Sequence, residues 1–129
     1  MTDVVTFGET MLRLSPPADG RPETATGFDV AVGGAESNVA VAAARLGLDA
    51  AWLSRVHESP LGRRVTGELR RHGVDPAVTW TDRGRQPTYY VESGDTPRGV
   101  DGVYDRRDSP LRAARPSDLP RDRIADAGL

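Results

Sequence analysis

Short apolar runs and helical stripes alternate along the first 75 residues. Asp3–Phe7 (DVVTF) is a β-branched apolar run that stops at Gly8 and reads as a buried strand. Thr10–Ser15 alternates until Pro16-Pro17, whose rings supply no ladder donor, and residues 18–27 follow as a polar loop. Phe28–Val32 alternates again, with Phe28, Val30 and Val32 on one face, and Gly33-Gly34 comes at once. Ala35–Leu46 is the clearest helix. Val39, Ala42 or Ala43, and Leu46 recur at helical spacing, and Gly47 with Leu48 offers a left-handed cap and its apolar contact. Trp52–Val56 reads as a strand. Ser59 then suits an N-cap with Pro60 at the first helical position, Leu61, Val65 and Leu69 form a buried stripe, and Gly73-Val74 repeats the glycine-then-apolar ending. Strand, helix, strand, helix predicts an α/β domain with a parallel sheet.

After residue 76 the character changes. Ala77–Thr81, Thr88–Glu92 and Val100–Asp105 are short strand candidates separated by Gly, Pro and Asp turns, with no helical pattern between them, which predicts antiparallel ribbons. From Ser109 the chain is rich in proline and charge, with one short helix near Asp122–Ala127.

Composition narrows the chemistry. A length of 129 residues gives room for one domain, and 37% hydrophobic with 5% aromatic residues makes its core thin. All 17 basic residues are Arg, so the lysine that a Walker-type phosphate loop needs is missing. With no Cys there is no disulfide framework, thiol nucleophile or cysteine-ligated metal. His57 and His72 are too few for a histidine cluster and read as structural, so no metal site is expected. No apolar run reaches membrane-spanning length, and the N-terminus lacks a signal-peptide core, so a soluble cytoplasmic protein without a membrane partner is expected. Arg63, Arg64, Arg70 and Arg71 cluster on the second helix. Acids offset the arginines to a net charge of -2, however, so the cluster reads as a solvated helix face and no nucleic-acid partner is expected.

The stretch with most chemistry in it is Val32–Ala40 (VGGAESNVA). A strand enters two glycines and then a helix, so a ligand can approach the backbone and meet the free N–H groups of the first turn. Asn38, the only Asn in the chain, has an amide that both donates to and accepts from a hydroxyl. Two readings stay open on geometry alone: a ligand site, or a tight turn followed by a surface amide. Tyr89, Tyr90 and Tyr104 on the ribbons suit either packing or ligand contact. Arg106 suits a carboxylate or plain solvation. Glu9, just after the first strand, is a further candidate, and Glu36 in the first helical turn suits the helix dipole.

The segments DVVTFGE (3–9), VGGAESNVAVAAARLGLDAAWLSRV (32–56) and SPLGRRVTGELRRHGVD (59–75) together resemble the PfkB/ribokinase family of sugar kinases. Gly33, Gly34, Asn38, Ala40 and Gly47 follow the order of that family's first signature. His57 departs from it, standing where the family usually has Gly. Within the family, GETMLRLSP at 8–16 and GGAESNVAVA at 33–42 look most like 2-keto-3-deoxygluconate kinases.

The resemblance implies a ribokinase-like three-layer α/β fold with a small β-sheet lid, its strands near 10–15, 28–32, 88–92 and 100–105. It implies sugar contacts from Gly33, Gly34, Asn38, Tyr90, Tyr104 and Arg106, and dimerisation through the lid. Residues 1–129 would be the N-terminal sugar-binding part of such a kinase. The ATP and Mg2+ contacts and the catalytic base would lie in a C-terminal part absent from this chain, so 1–129 alone is expected to be inactive and to bind no cofactor. Two alternatives stand beside this reading: a fructokinase- or ribokinase-like enzyme with a neutral sugar, and a truncated, non-catalytic module for sugar binding or dimerisation.

Overall fold

The computed structural model describes residues 1–18, 20–93 and 100–129. They form two sheets. The first holds β1 (Val4–Phe7), β4 (Ala50–His57) and β5 (Val74–Thr81) in the order β1-β4-β5, all parallel. The second holds β2 (Met11–Ser15), β3 (Asp29–Gly33), β6 (Thr88–Ser93) and β7 (Val100–Asp105) in the order β3-β2-β6-β7. The chain therefore leaves the parallel sheet after β1, builds one half of the second sheet, and returns to it after β5.

Two helices cover one face of the parallel sheet. In α1 (Ala35–Arg45) the alanine-rich sequence lets the backbone approach closely, and Ser37, Ala40 and Ala43 are buried. In α2 (Pro60–Arg71), Ser59 caps the first turn by accepting from the Gly62 N–H at 3.2 Å, and Pro60 costs no helical bond at its position. Ala50, Trp52 and Val56 of β4 meet Ala40, Ala43, Val65, Leu69 and Val74 in the core. The register puts Ala51, Leu53 and Arg55 on the opposite face. There Arg55 donates to the Pro110 carbonyl and to the Thr81 hydroxyl, and the Thr79 hydroxyl donates to the Asp118 carbonyl. Residues 110–125, with the short α3 (Arg121–Ala125), thus form the third layer. Leu129 sits beside β1, donating to the Asp3 carbonyl at 2.9 Å and accepting from the Val5 N–H at 2.8 Å, the bonding pattern of a parallel partner.

Several expectations are corrected. The segment 77–81 is no ribbon but the end of β5, which begins at Val74 directly after the α2 cap and lies parallel to β4. β6 pairs antiparallel with β7 but parallel with β2, a pairing that no local pattern encodes. The Gly- and Pro-containing turn between β6 and β7 falls on residues outside those described. In α2 the predicted Val65 and Leu69 are buried and only Leu61, 49% exposed, leaves the stripe, whereas in α1 Ala43 is buried as expected but Val39 is 55% exposed and Leu46 82%. Tight packing of α1 on the sheet selects Ser37, Ala40 and Ala43 for their size. His57 ends β4 without positive φ, so no glycine is needed there. The glycine that this turn requires is Gly62, because a Cβ on it would run into the His57 carbonyl.

Candidate functional site

The glycine pair lies where β3 of the second sheet meets α1 of the first. Gly33 ends β3 opposite Met11, buried, and a Cβ on it would stand 2.5 Å from the Tyr89 hydroxyl. Gly34 is the N-cap of α1 in extended backbone, and a Cβ there would stand 2.5 Å from the Glu9 carbonyl oxygen. Close approach to backbone therefore requires glycine at 34, whereas at 33 the short contact is with the tip of the Tyr89 side chain. Gly34 offers no side-chain cap, so the N–H groups of residues 35–37 face the site without a side-chain partner among the described residues. The Ser37 hydroxyl donates back to the Gly34 carbonyl at 3.1 Å, which fixes that turn.

Asn38 follows in the same turn. Its backbone N–H donates to the Gly34 carbonyl at 2.9 Å, and its exposed side-chain amide carries no hydrogen bond among the described residues. Glu36 folds over Gly8, where a Cβ would collide with its carboxyl group. Thr10 is 4% exposed beside Gly34, and its hydroxyl has no hydrogen-bond partner among the described residues.

Across from the glycines is a charged cluster. The Glu9 side chain is 9% exposed and both its oxygens are engaged. Oε1 accepts from Arg106 Nε at 2.6 Å, and Oε2 accepts from the Ser109 hydroxyl. Ser109 is itself buried, and neighbouring Asp108 has φ 55°, a bend that directs Ser109 back toward Glu9. Arg106 stays half-exposed, with its two terminal nitrogens unbonded among the described residues. Glu9 thus joins the two halves of the site: its backbone packs against Gly34 and its carboxylate holds Arg106.

The tyrosines divide. Tyr89 and Tyr104 are register partners and stack with centroids 5.4 Å apart and planes at 7°. Tyr90 opposes Val103 on the other face of the second sheet and meets Phe28 edge-on at 5.6 Å. Gly33 thus meets Tyr89, which stacks on Tyr104, Gly34 and Asn38 lie in the turn that follows Gly33, and Tyr90 is on the opposite face of the second sheet. Ser109 and Thr10 are the residues that sequence reasoning missed, whereas Tyr89 was a candidate left open between packing and ligand contact. Ser109 stands one hundred positions from Glu9, beyond any local pattern. A cleft of about 540 Å³ beyond Ser109, lined by Arg55, Arg83, Arg85 and Arg112, contains none of the predicted residues. Two of its arginines are already bonded, Arg55 as above and Arg85 to Asp105 at 2.5 Å.

Comparison with known proteins supplies the context for this geometry. The model of the pfkB family carbohydrate kinases matches residues 1–124. A 2-dehydro-3-deoxygalactonokinase of Haloferax volcanii is 57% identical over 125 residues, 97% of this chain and 39% of that protein. A 2-dehydro-3-deoxygluconokinase of Bacillus subtilis is 33% identical over 98% of this chain and 39% of its own length. Among solved structures, a 2-dehydro-3-deoxygluconokinase of Thermotoga maritima superposes with a TM-score of 0.92 at 40% identity, over 98% of this chain and 39% of that one. The chain spans about two fifths of the length of each of these relatives.

Proposed function

Because the chain belongs to the pfkB family of carbohydrate kinases, we propose that residues 1–129 are the sugar-binding N-terminal part of a kinase acting on 2-keto-3-deoxygluconate or a related sugar acid. The observation that carries this reading is the Glu9–Arg106 pair beside Gly34. It presents an arginine fork, suited to a carboxylate, next to free helix N–H groups and the Asn38 amide, suited to hydroxyls. The Haloferax and Bacillus relatives, named for keto-deoxy sugar acids, support the same substrate class.

In this reading the chain's own residues bind and orient the sugar. Gly33 and Gly34 let it approach the backbone, Asn38 brackets a hydroxyl, Arg106 takes the carboxylate, and Tyr104 closes one wall. Tyr90 supports the lid from behind through Phe28. Phosphoryl transfer is mainly positioning and charge stabilisation, so fixing the acceptor hydroxyl is a substantial share of the work. The described residues contain no cluster of His, Asp or Glu able to hold a metal, and the chain has no lysine. We assign the ATP and Mg2+ contacts and the catalytic base to the part of the relatives that this chain does not span, since it covers about two fifths of their length. On this reading residues 1–129 alone have no kinase activity, and ATP-dependent phosphorylation of the sugar by this chain would overturn it. The lid favours pairing with a second copy, since the outer edge of β3 meets no strand among the described residues. On this reading the reaction takes place in the cytoplasm, where ATP is supplied; no described helix is long and apolar enough to cross a membrane.

One observation favours a neutral sugar instead: Glu9 already balances the charge of Arg106. Replacing Arg106 with alanine in the intact protein separates the two. Loss of ATP-dependent phosphorylation of 2-keto-3-deoxygluconate by tenfold or more in kcat/KM, with fructose changed less than threefold, supports the acid. Equal losses on both sugars refute it.

A further inference from the structure

We propose that Glu9 is a positioning residue that gives the site its preference for an acidic over a neutral sugar, acting through Arg106. This rests on the reading of Arg106 as the carboxylate contact. Glu9 bonds Arg106 at Nε alone, by the side edge of the guanidinium. A carboxylate can meet a guanidinium side-on, through Nε and one terminal nitrogen, or end-on, through both terminal nitrogens. Glu9 occupies the side edge, so the end-on face is the one left for a ligand, in a side chain that is 54% exposed. Glu9 is itself immobile. Its carboxylate is buried, the Ser109 hydroxyl holds the second oxygen, and its carbonyl abuts Gly34. One residue therefore fixes the spacing between the helix start that takes hydroxyls and the fork that takes the carboxylate.

Without that anchor, Arg106 is a long solvated side chain that must be ordered at each binding event. Immobilising such a side chain weakens binding by about two- to tenfold. Against this, the negative charge of Glu9 repels an anionic ligand, so removing it has an opposing effect. The two separate experimentally, because Glu9→Gln keeps an acceptor for Arg106 Nε while removing the charge, whereas Glu9→Ala removes both.

The test is calorimetric titration of the intact protein with 2-keto-3-deoxygluconate and with fructose, without nucleotide, for wild type, Glu9→Gln, Glu9→Ala, Arg106→Ala and the Glu9→Ala/Arg106→Ala double variant. Positioning requires Glu9→Ala to weaken the acid sugar by about five- to tenfold and fructose by less than twofold. It requires Glu9→Gln to stay at wild-type affinity or bind more tightly, and Glu9→Ala to add nothing once Arg106 is gone. Equal weakening of both sugars by Glu9→Ala, tighter acid binding by that variant, or a full additive loss in the double variant overturns the proposal. If Arg106→Ala weakens both sugars alike, the carboxylate role of Arg106 falls first and this proposal with it. A selective Arg106→Ala with a silent Glu9→Ala overturns the positioning role alone.

Discussion

Replacing Gly34 with alanine measures how tightly α1 is docked against the loop that follows β1. The φ of −173° and ψ of 147° at Gly34 are extended backbone that alanine adopts freely, so the effect is steric. A Cβ would stand 2.5 Å from the Glu9 carbonyl oxygen and 3.1 Å from Thr10 Cα. Ordinary C···O contacts lie near 3.3–3.6 Å, so the helix start and residues 9–10 must part by roughly 1 Å. Neither side gives easily. Gly8 N–H donates to the Leu53 carbonyl at 3.2 Å, and the Thr10 carbonyl accepts from Gln86 Nε2 at 2.9 Å. Overpacking of this kind costs about 1–3 kcal/mol. The smaller conformational freedom of alanine in the unfolded chain offsets about 0.4–1 kcal/mol of that. The expected net loss is about 1–2 kcal/mol. Gly67, inside α2 with nothing within 4 Å of its Cβ position, is the matched control. The same change there should stabilise by about 0.5–1 kcal/mol. Urea unfolding followed by far-ultraviolet circular dichroism gives both values for the intact protein. Midpoints that shift in opposite directions support the steric account. A Gly34→Ala protein as stable as wild type would refute the close approach and, with it, the account of why the motif needs this glycine.

Further outcomes follow from single contacts. Asn38→Ala should raise the KM for the sugar by roughly five- to a hundredfold with little change in unfolding free energy, because the exposed amide makes no internal bond and a sugar hydroxyl would lose its partner. An unchanged KM returns Asn38 to the plain surface role. His57→Gly, which restores the residue usual in the family, should destabilise by about 0.5–1 kcal/mol, since β4 ends there without positive φ and glycine adds only unfolded-state entropy. A gain in stability, read from the same urea curves, contradicts the observed turn geometry.

The residues make plain how much of this was legible beforehand. β1 to β3, both helices and the glycine turn were visible because their signals are local: alternation, Ser59-Pro60, and Gly33-Gly34 between a strand and a helix. The buried faces of the helices were legible in part: Ala43, Val65 and Leu69 are buried as their spacing predicts. Val39, Leu46 and Leu61 carry the hydrophobic signal yet are exposed, while Ser37, Ala40 and Gly62 are buried because the sheet sits too close for larger side chains. β5 was cut short at its start because Pro76 interrupts the strand pattern, although a proline is tolerated on a strand with one unpaired edge.

What the sequence by itself determined is the set of local elements and the identity of the glycine–asparagine turn. Those depend on dihedral preferences, caps and apolar period within a dozen residues. The tertiary structure alone decided which of the candidates meet. It paired β6 with β2 in parallel, put Tyr104 and Tyr90 on opposite faces of the second sheet, and closed Glu9 onto Arg106 and Ser109 across about a hundred residues of chain. The physical reason is that strand register and long-range ion pairs are settled by contacts between segments far apart in the chain. No local run of side chains records the distance between them.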